Sequence, residues 1–125
     1  MRREIVQFTG AAASQANKTL VSKRINSPYR IKKIRVAFDA NCNNTVNIYP
    51  FISFDAEAPT AAAPAGQNIL AEFGQADYFN GDGDVFDIDL DHEVEKQGTY
   101  LKMYITNSAE STPYVHVQVA IEIEE

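Results

Sequence analysis

The sequence predicts an all-β fold: one antiparallel β-sandwich of about eight strands, jelly-roll-like, occupying residues 1–125 as a single domain. Three observations predict it. Apolar residues recur at every second position over several runs, the period of a strand that buries one face. Clusters of Asn, Asp, Gly and Pro separate those runs and supply turn conformations. No stretch repeats apolar residues at helical spacing over three turns with matching caps.

Each element follows in chain order. Residues 4–8 and 19–22 read as short strands, joined by a small, polar, flexible segment over 9–17. Ile34, Val36 and Phe38 then alternate with Lys33, Arg35 and Ala37. Val46, Ile48, Ile52 and Phe54 keep one parity, but Pro50 interrupts them. Proline cannot donate to a ladder, so this run is expected at a sheet edge or at a bulge. Residues 56–67 contain Pro59 and Pro64 and no bulky side chain, which predicts an exposed loop. A further short strand is expected over 68–73. Phe86, Ile88 and Leu90 alternate with Asp87, Asp89 and Asp91, after a Gly-rich turn at 80–83. Leu101, Met103 and Ile105 alternate with Lys102, Tyr104 and Thr106. The clearest run is the last, Val115, Val117, Val119, Ile121 and Ile123 against His116, Gln118, Ala120, Glu122 and Glu124. Residues 107–113 read as the loop of a hairpin joining these two final strands. A count near eight suits a jelly roll or a related sandwich better than a small open barrel.

The net charge of −6 conceals an asymmetry. Through Ala40 there are nine lysines and arginines against two carboxylates, or +7; the remainder has two against fifteen, or −13. Such a split describes either a basic arm on an acidic body, suited to a polyanionic partner, or strands that pair across a sheet with opposite charges. The second reading is preferred, because most of the basic residues fall in strand runs. Lys33 and Arg35 are then expected to meet Glu122 and Glu124 if the final strand lies alongside. The basic stretch from Arg30 to Arg35, with Tyr29 or Tyr49 as stacking partners, is a poor basis for nucleic-acid binding in a chain of pI near 4.8.

Catalytic and metal-binding patterns are missing from the sequence. Asn80, Asp82 and Asp84 are calcium candidates, but the glycine and glutamate offsets of an EF-hand loop are not met. Asp87, Asp89 and Asp91 share a strand face at a spacing that overlaps that of glycosidase carboxylates, yet the chain has no tryptophan to wall a sugar cleft. His92 and His116 are the only histidines, too few for a cupin-type metal site. No Gly-x-Ser-x-Gly elbow accompanies them. Cys42 stands alone, which excludes an intramolecular disulfide and a cysteine-based zinc site. No apolar run is long enough to span a bilayer, and the basic N-terminus lacks the apolar core of a signal peptide. A non-enzymatic chain without cofactors, kept in the cytoplasm or released by assembly or lysis, is expected.

The strand-rich body, the segment at residues 98–107 (Gly-Thr-Tyr-Leu-Lys-Met-Tyr-Ile-Thr-Asn) and the alternating final strand resemble the small β-sandwich decoration and accessory proteins of tailed bacteriophage particles. The resemblance implies a non-enzymatic structural module on the virion surface, a homo-oligomer that binds a capsid or other virion protein. Contact residues expected on that reading are Arg2 and Arg3 in the basic N-terminal segment, with Tyr49, Phe51 and Tyr104 as aromatic contacts. The competing expectation is a carbohydrate- or receptor-binding sandwich that uses Tyr49, Phe51, Tyr78 or Tyr104 as stacking platforms.

Overall fold

The computed structural model describes residues 3–12, 17–38, 45–59, 62–71, 78–81, 83–108 and 115–125. Nine strands are found there and no α-helix: β1 (Arg3–Ala12), β2 (Asn17–Val21), β3 (Tyr29–Phe38), β4 (Val46–Ser53), β5 (Gln67–Asn68), β6 (Phe79–Asn80), β7 (Val85–Val94), β8 (Tyr100–Asn107) and β9 (Val115–Glu124). They form two antiparallel sheets. The first has the order β1-β9-β3-β7; the second runs β2-β8-β4, with β5 and β6 both on the far side of β4.

The pairing has a simple logic. β1 pairs with β9, β2 with β8, β3 with β7, and β4 with β5 and β6. The chain is thus a long hairpin closed near β4–β6, and its successive strand pairs alternate between the two sheets. That winding is a jelly roll. It also corrects one expectation: β8 and β9 are not a hairpin but lie in different sheets, because each already has partners on both sides. Consecutive strands with matching alternation could belong to either arrangement, and only non-local pairing separates them.

The core lies where alternation placed it except at Phe54, which lies beyond the end of β4 and is 64% exposed. Val117, Val119, Ile121 and Ile123 of β9 and Ile31, Ile34, Val36 and Phe38 of β3 face Leu101, Met103 and Ile105 of β8 and Val46, Ile48 and Ile52 of β4. Burial of each such side chain contributes about 1.5–3 kcal/mol. Parity breaks once in β3, where Tyr29 and Ile31 are buried at odd positions but Ile34, Val36 and Phe38 at even ones. The register shifts there: between the same inward positions β3 has one residue more than β9 and one fewer than β7. Lys32 is the residue that absorbs the change, a β-bulge that re-aims the rest of the strand.

Two strand boundaries differ from expectation, and the interruption at Pro50 falls where it was expected. Residues 9–12, expected to begin a flexible connection, continue β1, since their backbone pairs with Val115 to Gln118 of β9. Small side chains give a weak strand signal, but ladder hydrogen bonds do not require large ones. Gly10 packs so closely on Leu20 that an added Cβ would press on that side chain. Residues 69–71 do not continue the strand expected over 68–73. The Asn68 side-chain oxygen accepts hydrogen bonds from the Leu70 and Ala71 amides (2.9 and 3.1 Å), which turns the chain, and Ile69 and Leu70 are buried in succession. Pro50 sits between the two short partners of β4, with β6 at Asn47 and Ile48 and β5 at Phe51 and Ile52. Its carbonyl accepts from the Ile69 amide, so its missing donor points to this broken side of β4. The intact side pairs with β8 along the whole strand. Pro50 therefore interrupts an edge that is only partly covered.

Candidate functional site

The outer face of the first sheet is a ladder of opposite charges. Successive side chains alternate, so the residues of β3 and β7 not used in the core stand side by side on this face. Arg30 meets Asp91 (3.1 Å) and Glu93 (3.2 Å), Lys32 meets Asp91 (3.3 Å), and Lys33 and Arg35 approach Asp89 and Asp87 at 3.9 and 4.0 Å. The hydrogen bond from Arg30, then that from Lys32, holds the Asp91 carboxyl below its ordinary range, and Asp91 in turn raises Arg30. The final strand β9 does lie alongside β3 and sets Glu122 opposite Lys33, yet the acids within 4.0 Å of Lys33 and Arg35 are those of β7. Glu122 and Glu124 flank the guanidinium of Arg3 on β1, at 3.0 and 3.3 Å. The basic residues of β1 and β3 are therefore matched within the first sheet by the acids of β9 and β7. Arg2, expected to act with Arg3, lies outside the described residues, as do Cys42 and the side chain of His116.

The outer face of the second sheet is built differently. In β8, Leu101, Met103 and Ile105 point inward, so Tyr100, Lys102, Tyr104 and Thr106 point outward; in β4 the outward row is Asn47, Tyr49, Phe51 and Ser53. Tyr49 and Tyr104 are register partners. Their rings lie 5.8 Å apart at 46°, and Tyr78 adds a third ring 5.6 Å from Tyr49 at 47°. Asn80 donates to the Asn47 side-chain oxygen (2.6 Å) and Asn47 donates to the Tyr49 hydroxyl (3.4 Å), so an amide chain borders the tyrosine row. Tyr78 is 41% exposed, Tyr49 and Phe51 are half-buried, and Tyr104 is buried. The rings are stepped and tilted rather than coplanar, so the described tyrosines do not make the flat platform on which a sugar ring stacks.

Lys102 occupies the same outer face yet is fully buried, which alternation alone did not foretell. The segment after β4 folds back over it. The Lys102 ammonium donates to Asp55 (2.6 Å), and Asp55 also accepts from the Glu57 amide (3.0 Å). The lysine hydrogen bond is the main reason that the Asp55 carboxyl lies below its ordinary range. Farther on, the Thr19 hydroxyl of β2 donates to the Pro59 carbonyl (2.6 Å), and Pro64 is buried. Gly66, at φ 142°, returns the chain to β5 so close to β4 that a Cβ would collide with the Ile52 carbonyl oxygen. Among its described residues the 56–67 loop is exposed at 56–58, 62, 63 and 65–67, as expected, while Asp55 and Pro59 tie its first part to β8 and β2 as a strap. The signal in the sequence was a lone lysine among apolar and aromatic residues, with no carboxylate at a neighbouring strand position.

The calcium candidates are only partly visible. Asn80 uses its amide nitrogen on Asn47 and on the Val46 carbonyl, and the Asp84 carbonyl accepts from the Phe38 amide. Asp82 lies outside the described residues. Among the described residues no cluster of three or more His, Cys, Asp or Glu side chains could hold a metal ion, and no helix is long and apolar enough to cross a membrane.

Comparison with known proteins bears on the fold. No protein-family model and no curated protein matches the chain. Among solved structures, a chain of the capsid asymmetric unit of cyanophage Pam1 matches with a TM-score of 0.52 at 15% identity, over 97% of this chain and 83% of that one. FLHE matches with a TM-score of 0.44 at 9% identity, over 98% of both chains. A chain of infectious bursal disease virus, Gt strain, matches with a TM-score of 0.44 at 13% identity, over 98% of this chain and 31% of that one. The cyanophage chain shares the sandwich along nearly its whole length, in agreement at the level of fold with the resemblance drawn from the strand pattern.

Proposed function

We propose that this chain is a structural protein of a virion, a capsid-associated module that docks on an assembled particle as a homo-oligomer and stabilises it. The observation that carries the reading is the fold match over 97% of the chain to a protein of comparable length within a phage capsid. A module of this kind needs complementary surfaces rather than chemistry. It stabilises by mass action, because it binds the assembled lattice and not the free subunit.

The surfaces support this role. The charge ladder on the first sheet is largely satisfied within the molecule, so the second sheet offers the more distinctive contact face. There Tyr78, Tyr49 and Phe51 provide apolar area with polar rims, the composition favoured at protein interfaces. Tyr104 stands beside Tyr49 on the same face. Arg3, held by Glu122 and Glu124, contributes at the margin of the other sheet.

The test is co-sedimentation of the purified protein with assembled capsids from its source, beside the unassembled capsid subunit. Saturable binding to particles alone, weakened by Tyr78→Ser, is expected. Protein that stays in the supernatant with both would overturn the proposal.

A further inference from the structure

We infer that two copies of this chain associate through the outer edge of β1, antiparallel about a two-fold axis at Ile5. This deepens the oligomeric part of the proposed function and does not require the particle. Among the described residues β1 and β7 are the edges of the first sheet, each ten residues long and each paired on one side only. An open edge presents backbone donors and acceptors in a row, a template for another strand.

The two edges carry opposite instructions. The outward row of β7 is Asp87, Asp89, Asp91 and Glu93. A two-fold pairing that keeps both sheet faces aligned sets odd-numbered residues against odd-numbered ones. Carboxylate would then oppose carboxylate through the middle of the strand, and like charges directly opposite are destabilising. The outward row of β1 is Arg3, Ile5, Gln7 and Thr9. Its one charge is already held by Glu122 and Glu124. Ile5 is 61% exposed, an apolar side chain set on that edge with water over it.

An axis at Ile5 sets that residue against Ile5 of the second copy, Arg3 against its Gln7, and Glu4 against its Val6. No like charges meet in this register. A surface groove lined by residues 4–7, 21–27, Ile123 and Glu125 leaves this stretch of β1 open to solvent. The β1 edge therefore accepts a second β1 with no like charges opposed, whereas a second β7 would set carboxylates that β3 already pairs on one side against carboxylates on the other.

Size-exclusion chromatography with light scattering on the full chain should give a concentration-dependent dimer. Ile5→Lys should raise the dissociation constant by about tenfold or more, through a charge placed on the pairing edge. Ile5 does not enter the core, so the thermal melt of the dissociated variant reports whether it folds. Directly opposed residues also have Cα atoms about 4.5–5.5 Å apart, within disulfide range. In a Cys42→Ser background, Ile5→Cys should therefore cross-link under mild oxidation far faster than Asp89→Cys. A native chain that is monomeric at every accessible concentration, or a dimer indifferent to Ile5→Lys, overturns the inference. A dimer that ignores particles supports it while contradicting the particle reading, and a monomer that binds particles does the reverse.

Discussion

Lys102 gives the sharpest energetic test of how the strap is held. Its side chain is wholly buried between Val21 and Phe51, its register neighbours on β2 and β4, and its ammonium reaches Asp55 at 2.6 Å. Lys102→Ala deletes three buried methylenes at about 0.8 kcal/mol each, a loss of about 2.4 kcal/mol. Lys102→Met keeps the length of the side chain and removes a buried charge, a class of exchange that is often neutral or better, so a change within about 1 kcal/mol is expected. For a domain of this size the alanine variant should melt about 10 °C below the native protein and the methionine variant within a few degrees of it. Urea unfolding at constant m-value measures the difference directly. Asp55→Asn should destabilise the native chain by leaving the ammonium uncompensated, yet have little effect in the Lys102→Met background. A methionine variant as unstable as the alanine variant, or Asp55→Asn effects that are the same in both backgrounds, would refute the reasoning.

Three further outcomes follow from the same geometry. Gly66→Ala forces a Cβ into a left-handed position against the Ile52 carbonyl, so it should cost more than about 1 kcal/mol in urea unfolding. Ile121→Ala empties a fully buried site in the strand between β1 and β3 and should cost about 2–5 kcal/mol, again read by urea unfolding. Asp55 and Asp91 both titrate below their ordinary value of 3.8 in the folded protein, so their contribution to stability is present above that value and is lost as pH falls through the lower folded ones. The melting temperature should therefore drop on acidification below about pH 4, and Asp55→Asn and Asp91→Asn should each flatten that drop.

Much of this molecule was legible in its sequence, and the parts that were not share a cause. The long alternating runs at Ile34–Phe38, Phe86–Leu90 and Val117–Ile123 became β3, β7 and β9, because period-2 burial is a local property that each run records for itself. The preference for cross-strand charge pairing over a basic arm also came through, since Arg30 to Arg35 sit opposite the β7 acids. For Lys33 and Arg35 the expected neighbour β9 does lie alongside, with Glu122 opposite Lys33, but the closer acids are on β7, because strand order is non-local. Nothing within β3 says that β7 lies on one side of it and β9 on the other. Lys102 was invisible for a similar reason: alternation put it on an outer face, but only the returning strap buries it. Small residues misled in the other direction. Thr9 to Ala12 looked flexible because they bury little, while their ladder with β9 depends on backbone alone. Of the contact residues, Tyr49 and Tyr104 are register partners, a pairing that the sequence did not indicate, and Tyr78 joins them from outside either strand.

The central claim is that this sandwich recognises an assembled shell. The measurement that meets it most directly is quantitative co-sedimentation on gradient-purified capsids, with bound protein counted per capsid subunit. The account predicts a plateau at a fixed ratio to capsid subunits, with no binding to the free subunit. Binding that never saturates, or that is equal for free subunit and particle, would contradict it.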